Sequence, residues 1–409
     1  MSEINLTTKQ KEFIESVMSD ENVFLTGKAG TGKSFVVKYA MEQLQAAGKK
    51  VAAIAPTGIA ANNIDGQTIH SMFKLRPFGV QTFDECNFLN GNSKELLKKV
   101  DCFFIDEVSM LRPDILDAIH WTLRKNGIKG LDNKQIVFIG DLKQLPPILD
   151  DNERSVLYQT YDGDTFEHAI IYQKLAVKTI ELDEVLRQSN EAFIENLNMI
   201  REGKKSAYFR QFISNEAKGI VLAPHNATVQ LYNEAGLNAQ PGETFTFTAV
   251  IDGAVKPQDF NLEYEIRVKN GCKIMYLANS KENPLRNGTL GIFVSHNDCH
   301  FIRVGNVDYA LEKVTATKKA YVYNKEADKL EMKELGSIIQ YPFKLAYALS
   351  IHKSQGLTFD EVTVDLRQPC FQKGQMYVAL SRVRSPEGLR IIHQSKSPTA
   401  PTARHSFTN

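Results

Sequence analysis

Short, unbroken apolar runs punctuate the first third of the chain: Val23–Leu25, Val51–Ala55, Cys102–Ile105 and Ile136–Ile139. Between them the apolar positions recur at helical spacing, as in Phe13, Ile14 and Val17, then Phe35, Val36, Tyr39 and Leu44, then Ile115, Ile119 and Leu123. Continuous apolar strands alternating with amphipathic helices predict an α/β fold with a parallel sheet buried on both faces. The alternation restarts near Lys178 with Thr179–Leu182 and Gly219–Ala223, and resumes with Lys344–Ser350, Val362–Leu366 and Leu389–Ile392. A second, similar α/β layer is therefore expected.

Two stretches break the pattern. Residues 73–100 turn polar and are expected to form a small surface insertion. Its aromatics Phe78 and Phe83 are suited either to stack on or wedge between bases, or to anchor the insertion as a mini-core. Residues 241–340 show short alternating runs (T-F-T-F-T, K-I-M-Y-L, F-I-R-V) with Asn-Gly pairs at 270–271 and 287–288. Asn-Gly between β-prone runs signals hairpins, so a small antiparallel β module is expected there, its aromatics filling its own core. The resulting division is 1–72 with 101–177, the insertion 73–100, a second α/β domain of 178–240 with 341–394, the module 241–340, and a disordered tail 395–409.

Composition narrows the function classes. At 409 residues the chain suits roughly two or three domains. A net charge of +1 excludes a polycation, so any nucleic-acid contact must come from a local groove. Five widely spaced cysteines, none in C-x-x-C, argue against a disulfide framework or zinc site and fit a reducing compartment. No run approaches the about 18 apolar residues of a membrane span, and the N-terminus has neither signal-peptide nor transit character. A cytoplasmic, nucleoid-associated location is expected.

Candidate chemistry centres on Gly27–Ser34, G-K-A-G-T-G-K-S, which follows one apolar run and opens a helix. This is the context in which G-x-x-x-x-G-K-[ST] is a phosphate-binding loop. Gly27, Ala29, Gly30, Thr31 and Gly32 offer backbone N–H groups, Lys33 reaches the β- and γ-phosphates, and the Ser34 hydroxyl ligates Mg²⁺. The plain alternative is a glycine-rich turn that binds nothing. Asp106-Glu107 closes the third apolar run, on the ligand edge of such a sheet. Asp106 is placed to hold Mg²⁺, and Glu107 to orient and deprotonate an attacking water; alone, the pair would be solvated surface. Gln144, in G-D-L-K-Q-L-P-P past the fourth run, can bond the γ-phosphate and that water. The amide of Gln10 can pair with an adenine edge, though an isolated Gln is usually solvated. Arg187 follows a strand of the second layer and could stabilise a transferring phosphoryl group. Arg382 and Arg384 lie near a helix C-terminus, where cations also sit for dipole reasons.

Taken together, T-K-Q, G-K-A-G-T-G-K-S, A-P-T-G-I-A-A, T-I-H-S, I-D-E-V-S-M, G-D-L-K-Q-L-P-P, L-R-Q, A-L-S-I-H-K-S-Q-G-L-T and Y-V-A-L-S-R-V-R resemble a superfamily 1 helicase. The set is most similar to the petite-integration-frequency (PIF) family of the 5′→3′, RecD-like branch, over residues 8 to about 393. L-D-A-I-H-W-T-L-R-K stands in the place of that family's signature and matches it loosely. The resemblance implies two RecA-like domains around ATP and Mg²⁺, the polar insertion as strand-separating pin (Pro77, Phe78 or Phe83), and a Src-homology-type barrel in the second domain. It makes Gln10 the adenine reader, Gln144 the γ-phosphate sensor, Gly356 a nucleotide contact, and Arg187 and Arg382 the arginine fingers. It places Pro56, Thr57, His70, Phe78, His352, Lys353 and Thr358 along single-stranded DNA. The absence of the long N-terminal extension of eukaryotic members suggests a bacterial or phage-type minimal enzyme.

The function this implies is an ATP-dependent 5′→3′ DNA helicase for repair, recombination or replication, working on single strands and forked duplex, as a monomer or a DNA-induced dimer. Quadruplexes, RNA–DNA hybrids and RNA stay open as substrates, because nothing in the track demands or rejects a 2′-hydroxyl. Two rivals remain: a nucleic-acid-binding ATPase switch that does not unwind processively, and a DNA-independent P-loop enzyme such as a small-molecule kinase.

Overall fold

The structure is a computed structural model that describes residues 6–28, 30–76, 79–183, 190–253, 255, 260, 262–280, 282–297, 299–324 and 326–393. Ala29, Pro77, Phe78, Arg187 and the tail lie outside those residues. The chain divides into two compact units, 1–187 with 319–335, and 188–318 with 336–409. Among the described residues no helix is long and apolar enough to cross a membrane.

The first unit is built on a six-stranded sheet: β1 (Asn22–Gly27), β2 (Val51–Ala55), β3 (Gln67–Thr68), β4 (Cys102–Ile105), β5 (Gln135–Ile139) and β6 (Val177–Leu182). The spatial order is β3-β2-β4-β5-β1-β6 and every pairing is parallel. β2, β4 and β5 are buried at every residue, as their unbroken apolar runs require. Helices Thr8–Met18 and Lys33–Ala46 supply Phe13, Val17, Val36 and Leu44 to the core on one face. Helix Pro113–Lys125 and the insertion supply the other, where Leu75, Cys86, Leu96 and Leu97 join Phe103, Ile115 and Ile119. Each such aliphatic or aromatic side chain contributes about 1.5–3 kcal/mol on burial.

Three features differ from the sequence expectation. β6 does not open the second domain. It pairs with β1 over its whole length, Asn22↔Val177 through Gly27↔Leu182. An α/β alternation shows that a strand exists but not which sheet edge it joins. The insertion is packed into the first core through one face of its helix Gly91–Lys99, although Phe83 is 47% exposed and Phe88 77% exposed. Finally, residues 319–335 of the expected β module group with the first unit. There the Ala53 N–H donates to the Tyr321 hydroxyl at 3.2 Å, and Asp328 pairs with both Lys50 and Lys99 at 3.1 Å.

The second unit has a parallel sheet of β7 (Ile220–Ala223), β18 (Ala348–Ser350), β19 (Val362–Asp365) and β20 (Leu389–Ile392), in the order β18-β7-β19-β20. Between β7 and β18 lie β8 (Phe245–Thr248), β9 (Val250–Gly253), β10 (Glu265–Val268), β11 (Lys273–Tyr276), β12 (Leu290–His296), β13 (Cys299–Val304), β14 (Val307–Ala310), β15 (Val314–Asn324), β16 (Lys329–Gln340) and β17 (Phe343–Leu345). Five of them form an antiparallel sheet, β14-β13-β12-β11-β17. Its aromatics fill a local core, with Phe293 and Phe343 at 0% exposure and packed together, as the sequence suggested. The Asn287–Gly288 turn does join paired strands, β11 to β12. Asn270–Gly271 does not: it carries the chain from β10, paired with β8, to β11 in the other sheet.

Candidate functional site

In the first unit β4, β5 and β1 are neighbours and parallel, so their carboxyl ends share one edge. That edge receives the glycine loop after β1, the acidic pair after β4 and the Gly140–Gln144 turn after β5.

Gly27 has φ +148°, and a Cβ there would stand 2.5 Å from the Leu182 carbonyl oxygen. The loop can therefore leave β1 beside β6 only with glycine at this position. Gly30 and Gly32 take φ +83° and +81°, the left-handed values that glycine adopts without steric cost. The chain then enters the helix at Lys33, with N–H groups at the helix start available to an anion. The Lys33 ammonium donates to the carbonyls of Gly27 at 2.7 Å and Lys28 at 2.9 Å, and the Thr31 hydroxyl donates to Lys28 at 3.0 Å. Ser34 is exposed at the mouth of the loop.

Asp106 is anchored by its own N–H, which donates to the Ile54 carbonyl at 3.0 Å. Its carboxylate accepts the Glu107 N–H at 2.8 Å. Burial and then the Glu107 charge raise its pKa well above the usual carboxylate range, against the opposing pull of Lys33. Glu107 sits at φ +52°, a strained backbone for a non-glycine residue, of the kind that concentrates at functional sites. A Cβ on Gly140 would meet Val108 Cγ2 at 2.9 Å, so glycine lets the end of β5 lie against the turn that follows Glu107. Gln144 follows, half-buried, its N–H donating to the Asp141 carbonyl at 2.9 Å.

The exposed Ser34 hydroxyl and the half-buried Asp106 carboxylate are the hard oxygen donors that Mg²⁺ takes beside substrate phosphates and water. Among the described residues no group of three or more His, Cys, Asp or Glu forms a self-sufficient metal site. The donor set fits a cation that arrives with a nucleotide.

Gln10 is not a solvated side chain. It is 3% exposed, and its Oε1 accepts the Thr7 N–H at 3.0 Å in a capping box that starts the first helix. That bond fixes the orientation of the amide. Pro56 and Thr57 follow β2 and His70 follows β3, at the same sheet edge; Thr57 also caps the next helix by accepting the Ala60 N–H at 3.2 Å. Burial lowers the His70 pKa, so its ring is neutral near pH 7. Lys125 Nζ, at the end of helix Pro113–Lys125, stands 5.4 Å from the ring centres of the insertion's Phe83 and Phe88. Phe88 escaped sequence reasoning because a lone Phe in a polar stretch carries no periodic signal.

The signature-like helix Pro113–Lys125 does more than pack. Asp114, 0% exposed, accepts from Arg112 at 2.7 and 2.9 Å and from the Gln81 N–H at 2.7 Å, and Arg112 also donates to the Gly79 carbonyl at 2.9 Å. The buried Asp114 and half-buried Arg112 together hold the insertion's 79–81 segment. Polar residues on an otherwise apolar face were its only sequence signal.

In the second unit Arg382 is 2% exposed, which excludes the surface role that helix-dipole reasoning allowed. Its guanidinium donates to the carbonyls of Val378 at 2.9 Å and Leu357 at 3.2 Å and to the Ser381 hydroxyl at 2.8 Å. It is thus fastened to the loop that carries His352, Lys353, Gly356 and Thr358. Arg384, by contrast, is exposed and pairs with Asp360 at 2.8 Å. Gly356 takes φ +76° and Lys353 is exposed. His352 is half-buried, with Nε2 3.0 Å from Gln372 Oε1 and a pKa lowered by burial.

The sequence profile of the PIF1-like helicase family matches residues 5–220. The chain is 27% identical to the ATP-dependent DNA helicase Pif1 of Campylobacter jejuni, over 94% of this chain and 91% of that one. It is 30% identical to the ATP-dependent DNA helicase PIF1 of Xenopus laevis over 95% of this chain, but spans only 62% of that relative's length. Bacteroides sp. Pif1 in complex with ADP-AlF4 superposes with a TM-score of 0.83 at 32% identity, covering 96% of this chain and 95% of that one. The ssDNA-bound Bacteroides Pif1 gives 0.68 at 33% identity, covering 95% and 92%. The chain belongs to the PIF1-like helicase family and is, with it, an ATP-dependent DNA helicase.

Proposed function

We propose that this protein is a 5′→3′ translocase that runs on single-stranded DNA and opens forked duplex, turning over one Mg²⁺-bound ATP per advance. The carrying observation is the convergence of the glycine loop, Asp106-Glu107 and Gly140–Gln144 at the carboxyl ends of three adjacent parallel strands. Lys33 and the loop N–H groups bind the phosphates, and Gln10 reads the adenine edge. Ser34 and Asp106 would hold Mg²⁺, which neutralises phosphate charge when bound. Glu107 orients the attacking water and takes its proton, and Gln144 senses the γ-phosphate. Arg187 and Arg382 bring positive charge to the transferring phosphoryl group. Pro56, Thr57, His70, His352, Lys353 and Thr358 form the DNA track, and the insertion with Phe78 and Phe83 divides the strands. The complexes named for the Bacteroides protein, with ADP-AlF4 and with single-stranded DNA, support this reading. The work is done in the cytoplasm, at the nucleoid.

The test is ATP hydrolysis with and without a short single strand, beside Lys33→Ala as a blank. Stimulation of roughly a hundredfold is expected, and Glu107→Gln should keep ATP and DNA binding while losing about 10²–10⁴ in turnover. Turnover retained in Glu107→Gln would remove it as the base. A rate indifferent to DNA would refute the coupled motor, and stimulation without strand displacement would leave an ATPase switch.

A further inference from the structure

The loops after β7, β18 and β19, three adjacent strands of the second sheet, deliver three aromatic rings to one place: His225, His352 and Phe371. Phe371 is 59% exposed. Its ring centre lies 5.0 Å from that of His225, tilted by 40°, and 6.1 Å from that of His352, only 22° from parallel. A single exposed phenylalanine needs no explanation. An exposed ring in contact with two others, at the ligand edge of a parallel sheet, does.

All three rings are held from behind. His225 Nε2 lies 3.2 Å from the Pro369 carbonyl oxygen, and His352 Nε2 lies 3.0 Å from Gln372 Oε1. The fully buried Gln375 accepts the Phe371 N–H at 3.0 Å through its Oε1, which fixes the backbone beneath the ring. Burial keeps His352 neutral at pH 7, so it offers a flat π-face rather than a cation. The rings are thus preorganised and partly wet, and their flat faces suit a planar heterocycle better than a phosphate.

We infer that Phe371, with His225 and His352 beside it, is a stacking seat for one unpaired base of single-stranded DNA. The inference rests on the DNA-track reading of His352 given above. It adds to that track a contact to the bases. Stacking on an aromatic ring is tolerant of sequence, because every base has a π-face.

The test is fluorescence anisotropy of a short oligothymidylate, and of the same strand made abasic throughout, with the wild type, Phe371→Ala and Phe371→Trp. Phe371→Ala should bind the oligothymidylate roughly tenfold more weakly, while Phe371→Trp stays close to wild type. The slope of log Kd against log salt should not change, because no phosphate contact is lost. On the abasic strand all three proteins should bind alike. Equal affinity of Phe371→Ala and wild type for the oligothymidylate would overturn the inference. So would an equal loss on the abasic strand, which would mark a loosened loop instead. A wild type that binds neither strand would overturn the DNA-translocase reading itself, a separate failure.

Discussion

The two parallel sheets use the same edge in different ways. In the first unit the carboxyl ends of β4, β5 and β1 build a site largely from backbone: left-handed glycines, helix-start N–H groups, and a strained Glu107 beside the half-buried Asp106. In the second unit the ends of β18, β7 and β19 build one from side chains: Arg382 fastened to carbonyls, and three rings gathered from three loops. A backbone site must be spelled in contiguous residues and is compact in the sequence. A side-chain site can be assembled from distant segments, and only the fold shows that His225, His352 and Phe371 meet. The difference also predicts how each breaks. The first should lose chemistry when a charge is removed, the second when a shape is removed.

The largest effect is expected where the second unit does supply charge. Arg382→Ala should lower DNA-stimulated turnover by roughly a thousandfold or more if the guanidinium reaches the transferring phosphoryl group. Arg384→Ala, which removes only an exposed pair with Asp360, is the matched control and should stay near wild type. Steady-state hydrolysis on saturating single-stranded DNA separates the two. Near-normal turnover in Arg382→Ala would reduce its hydrogen bonds to a structural anchor.

A second contrast lies in how the units bury charge. Asp114 in the first is fully enclosed against the half-buried Arg112, so Asp114→Ala removes the acceptor of the Gln81 N–H and leaves Arg112 with Glu153 as its carboxylate partner, and should cost about 1–3 kcal/mol. Lys344 in the second is 8% exposed; burial first and the Lys353 charge second push its pKa down to about 8, with Glu263 opposing. Unfolded, it keeps its proton to its ordinary value of 10.5. Between those values the unfolded chain binds more protons, so this residue's share of stability rises with pH from about 8 to about 10.5. Below about 8 its full penalty is present. Lys344→Met should therefore raise the melting temperature at pH 7, the opposite sign to Asp114→Ala, and the gain should shrink toward pH 10. Thermal melts from pH 7 to 10 check it; a gain independent of pH would assign the effect to packing alone.

Sequence reading went furthest where local rules are strong. The apolar runs marked β1, β2, β4 and β5 because strands buried on both faces must be apolar throughout, and the glycine loop with its acidic pair followed from the order of motif and strand. It failed where the answer depends on a distant partner. β6 is mostly exposed outside Ile180 and Leu182, and its assignment to the first sheet rests on pairing with β1 alone. The sequence could not separate Gln10 from a solvated side chain without the motif set, because a capping box three residues wide cannot reveal burial. Position alone could not separate Arg382 from a helix-end cation, because the carbonyl of Leu357 that holds it lies 25 residues away along the chain.

Residue 321 is the furthest of these from its partner. β3 has only two residues and pairs with β2 only at Ile54↔Gln67 and Ala55↔Thr68, so it does not reach Ala53. The Ala53 N–H instead donates to the Tyr321 hydroxyl, and the Tyr321 N–H donates to the buried Gln67 Oε1 at 2.9 Å. A side chain 268 positions on thus completes the hydrogen bonding of a central strand. Tyr321→Phe keeps the ring and removes only the acceptor, leaving a buried N–H unsatisfied at a cost of about 1–3 kcal/mol. Asp328→Asn, in the same segment, weakens the pairs with Lys50 and Lys99 at an exposed carboxylate, where the amide oxygen can still accept from the Tyr323 hydroxyl, and should change stability less, with any change fading as salt rises. Chemical denaturation at low and high salt ranks them. If Asp328→Asn proved the more damaging at both, charge rather than the Tyr321 hydroxyl would be what fastens this segment to the first sheet.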